Sequence, residues 1–513
     1  MTVAPLRLAG VPGKPVIQIR AGALHMMATE AEAALVAAEA PLYVRGGIVR
    51  PVVDEMPAAH GKRTKVARLV PVEINTLVDH LSRSSEWLKF NVRKNGWVPA
   101  DPPLNVAATI LSRDGEWKFL PLAGAITAPT LRPDGSLLAT PGYDPQTRLV
   151  LLDPPKLPEI PDNPTKDDAA RALAKLDALL DGFPFVDAAS RSVALSGLIT
   201  PVVRGAMPVA PLHAASAPVA GSGKSYLVDL ASVILTGDSA PVIAAAQTEE
   251  ETEKRLASAL LNGQPIVSID NVNGRLGGDQ LCQLIERPVV SVRPLGVSKL
   301  VRIESRATTF ATGNNILLVG DMTRRTILCS LDPNMERPEL RQFKNDPRKM
   351  VMSNRGAYIA AALTIVRAYI VAGFPNERPA LASFGEWSKF VRSALVWLGR
   401  ADPIDTMEAA RADDPELSML GALLAAWHGA IGQEGRTAGG IADAAMTKNT
   451  FHNLIHPDLL TALLSIADDH RGGVNSVRLG NYLKAREGRI VGGLRLTSAK
   501  DSHSKQLIWR VMK

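Results

Sequence analysis

Between residues 210 and 235 the chain reads APLHAASAPVAGSGKSYLVDLASVIL, and the residues there that can do chemistry are Gly221-Ser222-Gly223-Lys224-Ser225. A loop of small residues lets backbone N–H groups approach phosphate oxygens without obstruction by Cβ atoms, and a helix starting at its end adds a favourable dipole. In that setting Lys224 contacts the β- and γ-phosphates of ATP, Ser225 ligates Mg²⁺, and Gly221, Ser222 and Gly223 shape the cradle. The full pattern G-x-x-x-x-G-K-[ST] asks for glycine at position 218, where this chain has Pro218. Read alone, GSGKS also fits a flexible turn that caps a helix.

More chemistry follows in order. The β-branched run Gln264–Asn271 places Asp270 46 residues beyond Lys224. A strand next to the lysine's own strand would deliver that carboxylate to Mg²⁺, although Asp-Asn with Gly274 also fits a turn. A third run, Ala307–Thr312, ends in Gly313-Asn314-Asn315, and the Asn314 amide can orient an attacking water. Then Asp321-Met322-Thr323-Arg324-Arg325 offers Arg324 or Arg325 to stabilise charge on a transferring phosphoryl group. Singly, Asn-Asn reads as a turn and Arg-Arg as a solvated face. It is the order of the four elements across about 100 residues that points to phosphoryl chemistry.

This order resembles the helicase half of phage and prophage replication proteins, the superfamily-three or poxvirus-type primase-helicase ATPases of the AAA+ class. The resemblance covers roughly residues 165–400 and is carried by AGSGKS (Lys224, Ser225), IVSID (Asp270), TTFATGN (Asn314) and DMTRR (Arg324, Arg325). It implies Walker A, Walker B, sensor and arginine-finger roles, a homo-hexameric ring and translocation along single-stranded or forked DNA. Pro288–Ile303 reads as a hairpin about Leu295-Gly296, placed like the one such helicases project into the pore. Arg293 and Lys299 would flank its tip and hold a DNA backbone by charge; an edge protected by basic residues is the plainer reading. The family's usual acid beside the Walker B aspartate is here Asn271, so the water-activating group must come from elsewhere, for instance Glu249-Glu250-Glu251. That run also fits the acidic first turn of a helix.

The elements that must position these groups are legible in outline. At 513 residues the chain predicts two to four domains. Residues 1–150 read as a mixed α/β domain of unassigned role, with no carboxylate pair or zinc module that would support primer synthesis. Residues 151–164 are a Pro-rich linker (prolines 154, 155, 158, 161, 164). Residues 165–400 form an α/β ATPase core with helical flanks, opened by a capping box at Thr165 and Asp168 and a second helix behind Asp187. Residues 401–513 are helical and end in a basic, winged-helix-like region, with a helix over Leu479–Arg486 and a hairpin from Arg489–Leu496 and Lys505–Met512. Asn475–Lys513 holds nine Lys/Arg against two acids, an excess equal to the +7 of the whole chain, as a phosphate-contacting surface or a solvated basic tail would.

Composition excludes little else. The two cysteines, Cys282 and Cys329, lie in apolar segments without metal-ligand spacing and read as buried thiols of a cytoplasmic protein. No export segment or membrane span is expected, the greasiest stretch, Ala357–Phe374, being broken by Arg367. His452 and His456 lack a third ligand, and Pro457 should end their segment. Trp387, Trp397 and Trp427 read as core. Two readings compete with a DNA helicase: an AAA+ loader or remodeller of proteins, disfavoured by the absence of an aromatic between Pro288 and Lys299, and a nucleotide-gated DNA-binding initiator with little turnover.

Overall fold

The computed structural model describes residues 13–57, 63–244, 249–294, 300–343, 345–412, 414–501 and 506–513. They form two compact units, one made by Met1–Gly274, Gly278–Ile316 and Arg325–Thr406, the other by Arg275–Gly277, Leu317–Arg324 and Met407–Lys513. The fold is mixed α/β, with many helices and a parallel sheet. Among the described residues no helix is long and apolar enough to cross a membrane. Both cysteines are buried.

The amino-terminal residues alternate strand and helix. Helices Leu24–Ala37, Ile74–Ser84 and Leu104–Ser112 pack together beside a sheet of Val16–Ile19, Glu86–Asn91 and Gly96–Pro99. Ile17, Leu35, Leu77, Leu81, Trp87 and Ile110 close a core of their own. A turn at Pro133-Asp134-Gly135 joins Thr130–Leu131 to Leu137–Leu138 in an antiparallel pair. The Pro-rich stretch is irregular, but it lies against the Arg355–Val371 helix instead of spanning open solvent. Asp162 O accepts from Arg367 at 2.9 Å, and a Cβ on Gly356 would come within 2.0 Å of Lys156 O. Residues on both sides of the stretch belong to the first unit.

Caps start the helices that follow. Thr165 and Asp168 make the reciprocal capping box of the Lys166–Asp177 helix, at 3.2 and 2.9 Å, and the Asp187 side chain accepts from Ser190 N to open Ala188–Ile199. Thr165→Ala should cost about 1 kcal/mol, read from the urea midpoint. Trp387 and Trp427 are fully buried; Trp397 is half-buried, with Lys166 Nζ 5.1 Å from its ring centre.

Five strands, numbered here in chain order, build the sheet: β1 (Leu212–Ala217), β2 (Val242–Ala244), β3 (Ile266–Leu276), β4 (Thr308–Leu318) and β5 (Thr326–Ser330). Their spatial order is β2-β3-β4-β1-β5, with β1 parallel to both β4 and β5, and β2 parallel to β3. This corrects the expectation that the strand of Asp270 adjoins that of the lysine loop: β4 lies between them. Close packing makes the insertion possible, since a Cβ on Gly313 of β4 would stand 2.2 Å from Val272 O of β3. β1 is buried along its whole length, and its Ala214, Ala215 and Ala217 suit a central strand covered on both faces. The predicted hairpin is present as Val289–Val292 paired antiparallel with Val301–Glu304; its tip, with Lys299, lies outside the described residues.

The second unit packs helices Pro415–Ile431, Ala438–Met446, Pro457–Ala467 and Ser476–Ala485 around Leu420, Leu424, Trp427, Leu463, Leu483 and Trp509. Pro457 closes the irregular segment that holds His452 and His456 and begins the next helix, where its missing N–H costs nothing. The expected terminal hairpin is Leu494–Lys500 with Leu507–Met512. Its first run does not start at Arg489, because Gly492 and Gly493 (φ +58° and +75°) turn the chain and return Ile490–Val491 onto Leu494–Arg495.

Candidate phosphate-binding site

The loop leaving β1 needs glycine at two positions. Gly221 and Gly223 have φ of +74° and +101°, and a Cβ on Gly223 would lie 3.2 Å from the Phe183 ring. Pro218 is not among the positive-φ residues, so the conformation a glycine would permit is not used there. The helix Lys224–Thr236 starts with Gly223 as N-cap and no side-chain cap, which leaves its first-turn N–H groups facing the loop. Gly223→Ala should weaken phosphate binding roughly tenfold, because the left-handed conformation costs a Cβ about 1–2 kcal/mol. Nucleotide titration beside an unchanged circular dichroism spectrum checks it.

Lys224, Ser225, Asp270 and Asn314 meet just beyond the carboxyl end of β1, Asn314 midway along β4 and Asp270 midway along β3. Parallel register sets this: Asn314 lies level with Ala217, the last residue of β1, and Asp270 level with Ala244, the last of β2. Lys224 Nζ donates to Asn314 Oδ1 at 2.8 Å, Val219 O at 2.9 Å and Ser222 Oγ at 3.0 Å. The three hydrogens of an ammonium are thus matched by three neutral acceptors, two of them on the loop itself. Ser225 Oγ donates to Asp270 Oδ1 at 3.0 Å, and the Thr312 hydroxyl donates to the same oxygen. Burial pulls the Lys224 ammonium below the ordinary lysine range, and the charge of Asp270 partly restores it.

Asn271 and Asn315, directly after Asp270 and Asn314, both have positive φ, +58° and +48°. Asparagine tolerates that region better than glutamate, so Asn271 has a backbone reason to stand where a second acid was expected. Glu250 and Glu251 lie in the first turn of the Glu249–Leu261 helix, where they pair with Lys254 at 2.8 Å and Arg255 at 3.0 Å.

The two arginines separate. Arg325 is 4% exposed, bonds Glu286, and precedes β5 at the amino edge of the sheet, where its carbonyl accepts from Leu212 N; that is the edge opposite Lys224. Its burial removes it from the finger role. Arg324 is more exposed and pairs with Asp321 at 3.0 Å. Arg293 follows the first hairpin strand directly.

Beside the loop opens a cavity of about 990 Å³, walled by Phe183, Tyr226 and Phe343. Tyr226 OH donates to Asp346 Oδ1 at 2.5 Å, and the Arg348 guanidinium lies 4.6 Å from its ring centre. A space this size admits a nucleoside as well as phosphates. Sequence reading missed these residues and Thr312. For Thr312 a signal existed, since it stands two residues before Asn314 and so shares its strand face.

No protein-family model matches the chain, and no curated protein matches it. Among solved structures, one described as the A form apo structure of the NrS-1 C-terminal region is similar at 12% identity and a TM-score of 0.35, over 90% of this chain and 97% of that one. A second, of the same region over 305–718, is similar at 11% identity and a TM-score of 0.37, over 90% and 96%. At these TM-scores the likeness carries no function from that region to this chain.

Proposed function

We propose that this chain is a Mg²⁺-dependent ATPase that translocates along or unwinds DNA in the replication of a phage, prophage or mobile element. The observation behind the ATPase part is the convergence of Lys224, Ser225, Asp270 and Asn314 within hydrogen-bond reach beside the carboxyl end of β1. In this reading the triphosphate takes over the ammonium from Val219 O and Ser222 Oγ, so binding opens a loop closed on its own lysine. Because Lys224 can only donate, the amide oxygen of Asn314 faces it and the NH₂ faces away, able to orient the attacking water.

A hydroxyl and a carboxylate 3.0 Å apart form the hard-oxygen donor set that suits magnesium, so Ser225 and Asp270 would hold it. Bound with the nucleotide, the ion would neutralise phosphate charge. Thr312 keeps the Asp270 carboxylate aimed. Arg324, half-buried and outside the pairing that buries Arg325, is the residue left to act on a neighbouring subunit's nucleotide in a hexameric ring.

The DNA part rests on the basic carboxyl end and on the hairpin that carries Arg293 and Lys299. Lys484, Arg489, Arg495 and Lys500 are all exposed in the second unit. Replacing these four with glutamine should lower the slope of log affinity against log salt for single-stranded DNA by roughly 3. Truncation is a poorer test, because Leu483 and Trp509 belong to that unit's core. Hydrolysis measured with and without single-stranded DNA tests the whole reading: stimulation supports a motor, and indifference points to a protein remodeller. Binding without turnover would favour a nucleotide-gated initiator, a reading supported by Asn271 standing where an acid was expected.

A further inference from the structure

At the amino edge of the sheet, away from the lysine loop, three arginines line one cavity of about 30 Å³ together with Gln264, Ser305 and Thr130. Arg45 comes from the bend between the strands Tyr43–Val44 and Ile48–Pro57, Arg204 from the short turn Arg204–Ala206, and Arg306 from the segment entering β4. Arg45 and Arg204 are 6% and 7% exposed. Their charges are poorly matched. Glu304 is the carboxylate that serves Arg306, at 3.3 Å, and it is shared with Arg148 at 2.9 Å.

Carbonyls hold the rest. Arg45 donates to Leu260 O at 2.6 Å, Leu261 O at 3.2 Å, Glu304 O at 3.0 Å and Ala123 O at 3.4 Å, two of these at the carboxyl end of the Glu249–Leu261 helix. Arg204 reaches Met207 O, and Pro208 O and Ala307 O at 3.4 and 3.3 Å; Arg306 reaches Gly205 O and Met207 O at 3.2 and 3.1 Å. Among the described residues, Arg204 Nε, Arg306 Nε and Gln264 Oε1 have no partner, although all three are buried. Burial with a second guanidinium beside it pulls Arg204 down to about 9. Buried charges are ordinarily paired, and an orphaned donor costs about as much as a lost hydrogen bond.

We infer that this cavity binds one small monovalent anion of halide size, which pairs Arg204 and Arg306 and fastens the amino-terminal residues to the sheet. The volume admits an occupant the size of one or two waters, and the lining supplies an excess of donors. Gln264 would present its NH₂ to the anion; the opposite amide orientation differs only by exchange of oxygen and nitrogen. Nothing in this inference depends on the nucleotide reading, since the residues lie at the other edge of the sheet.

The test uses the full chain. Thermal unfolding is followed as chloride or bromide replaces gluconate at constant ionic strength, and crystals grown in bromide are examined for anomalous scattering. The expected results are a midpoint that rises by roughly 1–3 °C per tenfold halide, an anomalous peak between Arg204 and Arg306, and a flat response in Arg204→Gln. Should that variant fail to fold, Gln264→Leu is expected to weaken the halide response while leaving hydrolysis unchanged. A midpoint indifferent to halide, or a cavity occupied by water without an anomalous peak, overturns the inference.

Discussion

Lys224→Ala should lower ATP turnover at least about 100-fold, the order of loss seen when one preorganised donor to a developing oxyanion is removed. The chain should stay folded. Lys224 is held by three neutral acceptors in partly buried surroundings, and its ammonium titrates below the ordinary lysine range because burial penalises the charge. A lysine whose folded value is depressed costs stability while it is charged, and that cost fades as pH rises through the folded value. At neutral pH the substitution therefore removes a penalty together with three hydrogen bonds, and the two oppose each other. Turnover beside a urea melt separates the outcomes. An alanine variant that hydrolyses ATP near the parent rate would end the proposal, and one that fails through unfolding would show in the melt.

The site was more legible than the sheet that carries it. Lys224, Ser225, Asp270 and Asn314, which the structure brings together, stand out in the sequence because a phosphate-binding pattern restricts both residue type and chain order. Strand order is not so restricted: nothing in the run Thr308–Asn314 says that it inserts between β1 and β3, since that depends on which small residues meet across strands, such as Gly313 against Val272. Arg324 and Arg325 illustrate a second limit. They are neighbours of one type, yet Arg325 is fixed in the interior by Glu286, a carboxylate 39 positions away in the chain, which a local reading of DMTRR does not contain. Caps were legible for the opposite reason, the Thr165 and Asp168 partners being three residues apart. The orphaned arginine nitrogens around the amino-edge cavity had no local signal, because Arg204 and Arg306 are far apart in sequence.

Asp270→Asn separates charge from geometry at the same site. An asparagine oxygen can still accept from the Ser225 and Thr312 hydroxyls, so the two strands should keep their positions. What disappears is the negative charge, and with it the anionic half of the oxygen pair proposed for magnesium. Turnover should fall about 100-fold or more, while nucleotide affinity measured without magnesium stays close to that of the parent. A pH effect follows as well. Asp270 raises the Lys224 value against the downward pull of burial, so removing its charge lets that value fall further. The alkaline limb of nucleotide binding, where Lys224 loses its proton, should then move to lower pH in Asp270→Asn. Thr312→Val, which keeps the charge and loses the hydroxyl that aims it, should slow turnover more modestly and leave that limb in place. If Asp270→Asn instead turned over ATP normally with magnesium, or moved the limb upward, the assigned pairing of Ser225, Asp270 and Lys224 would not stand.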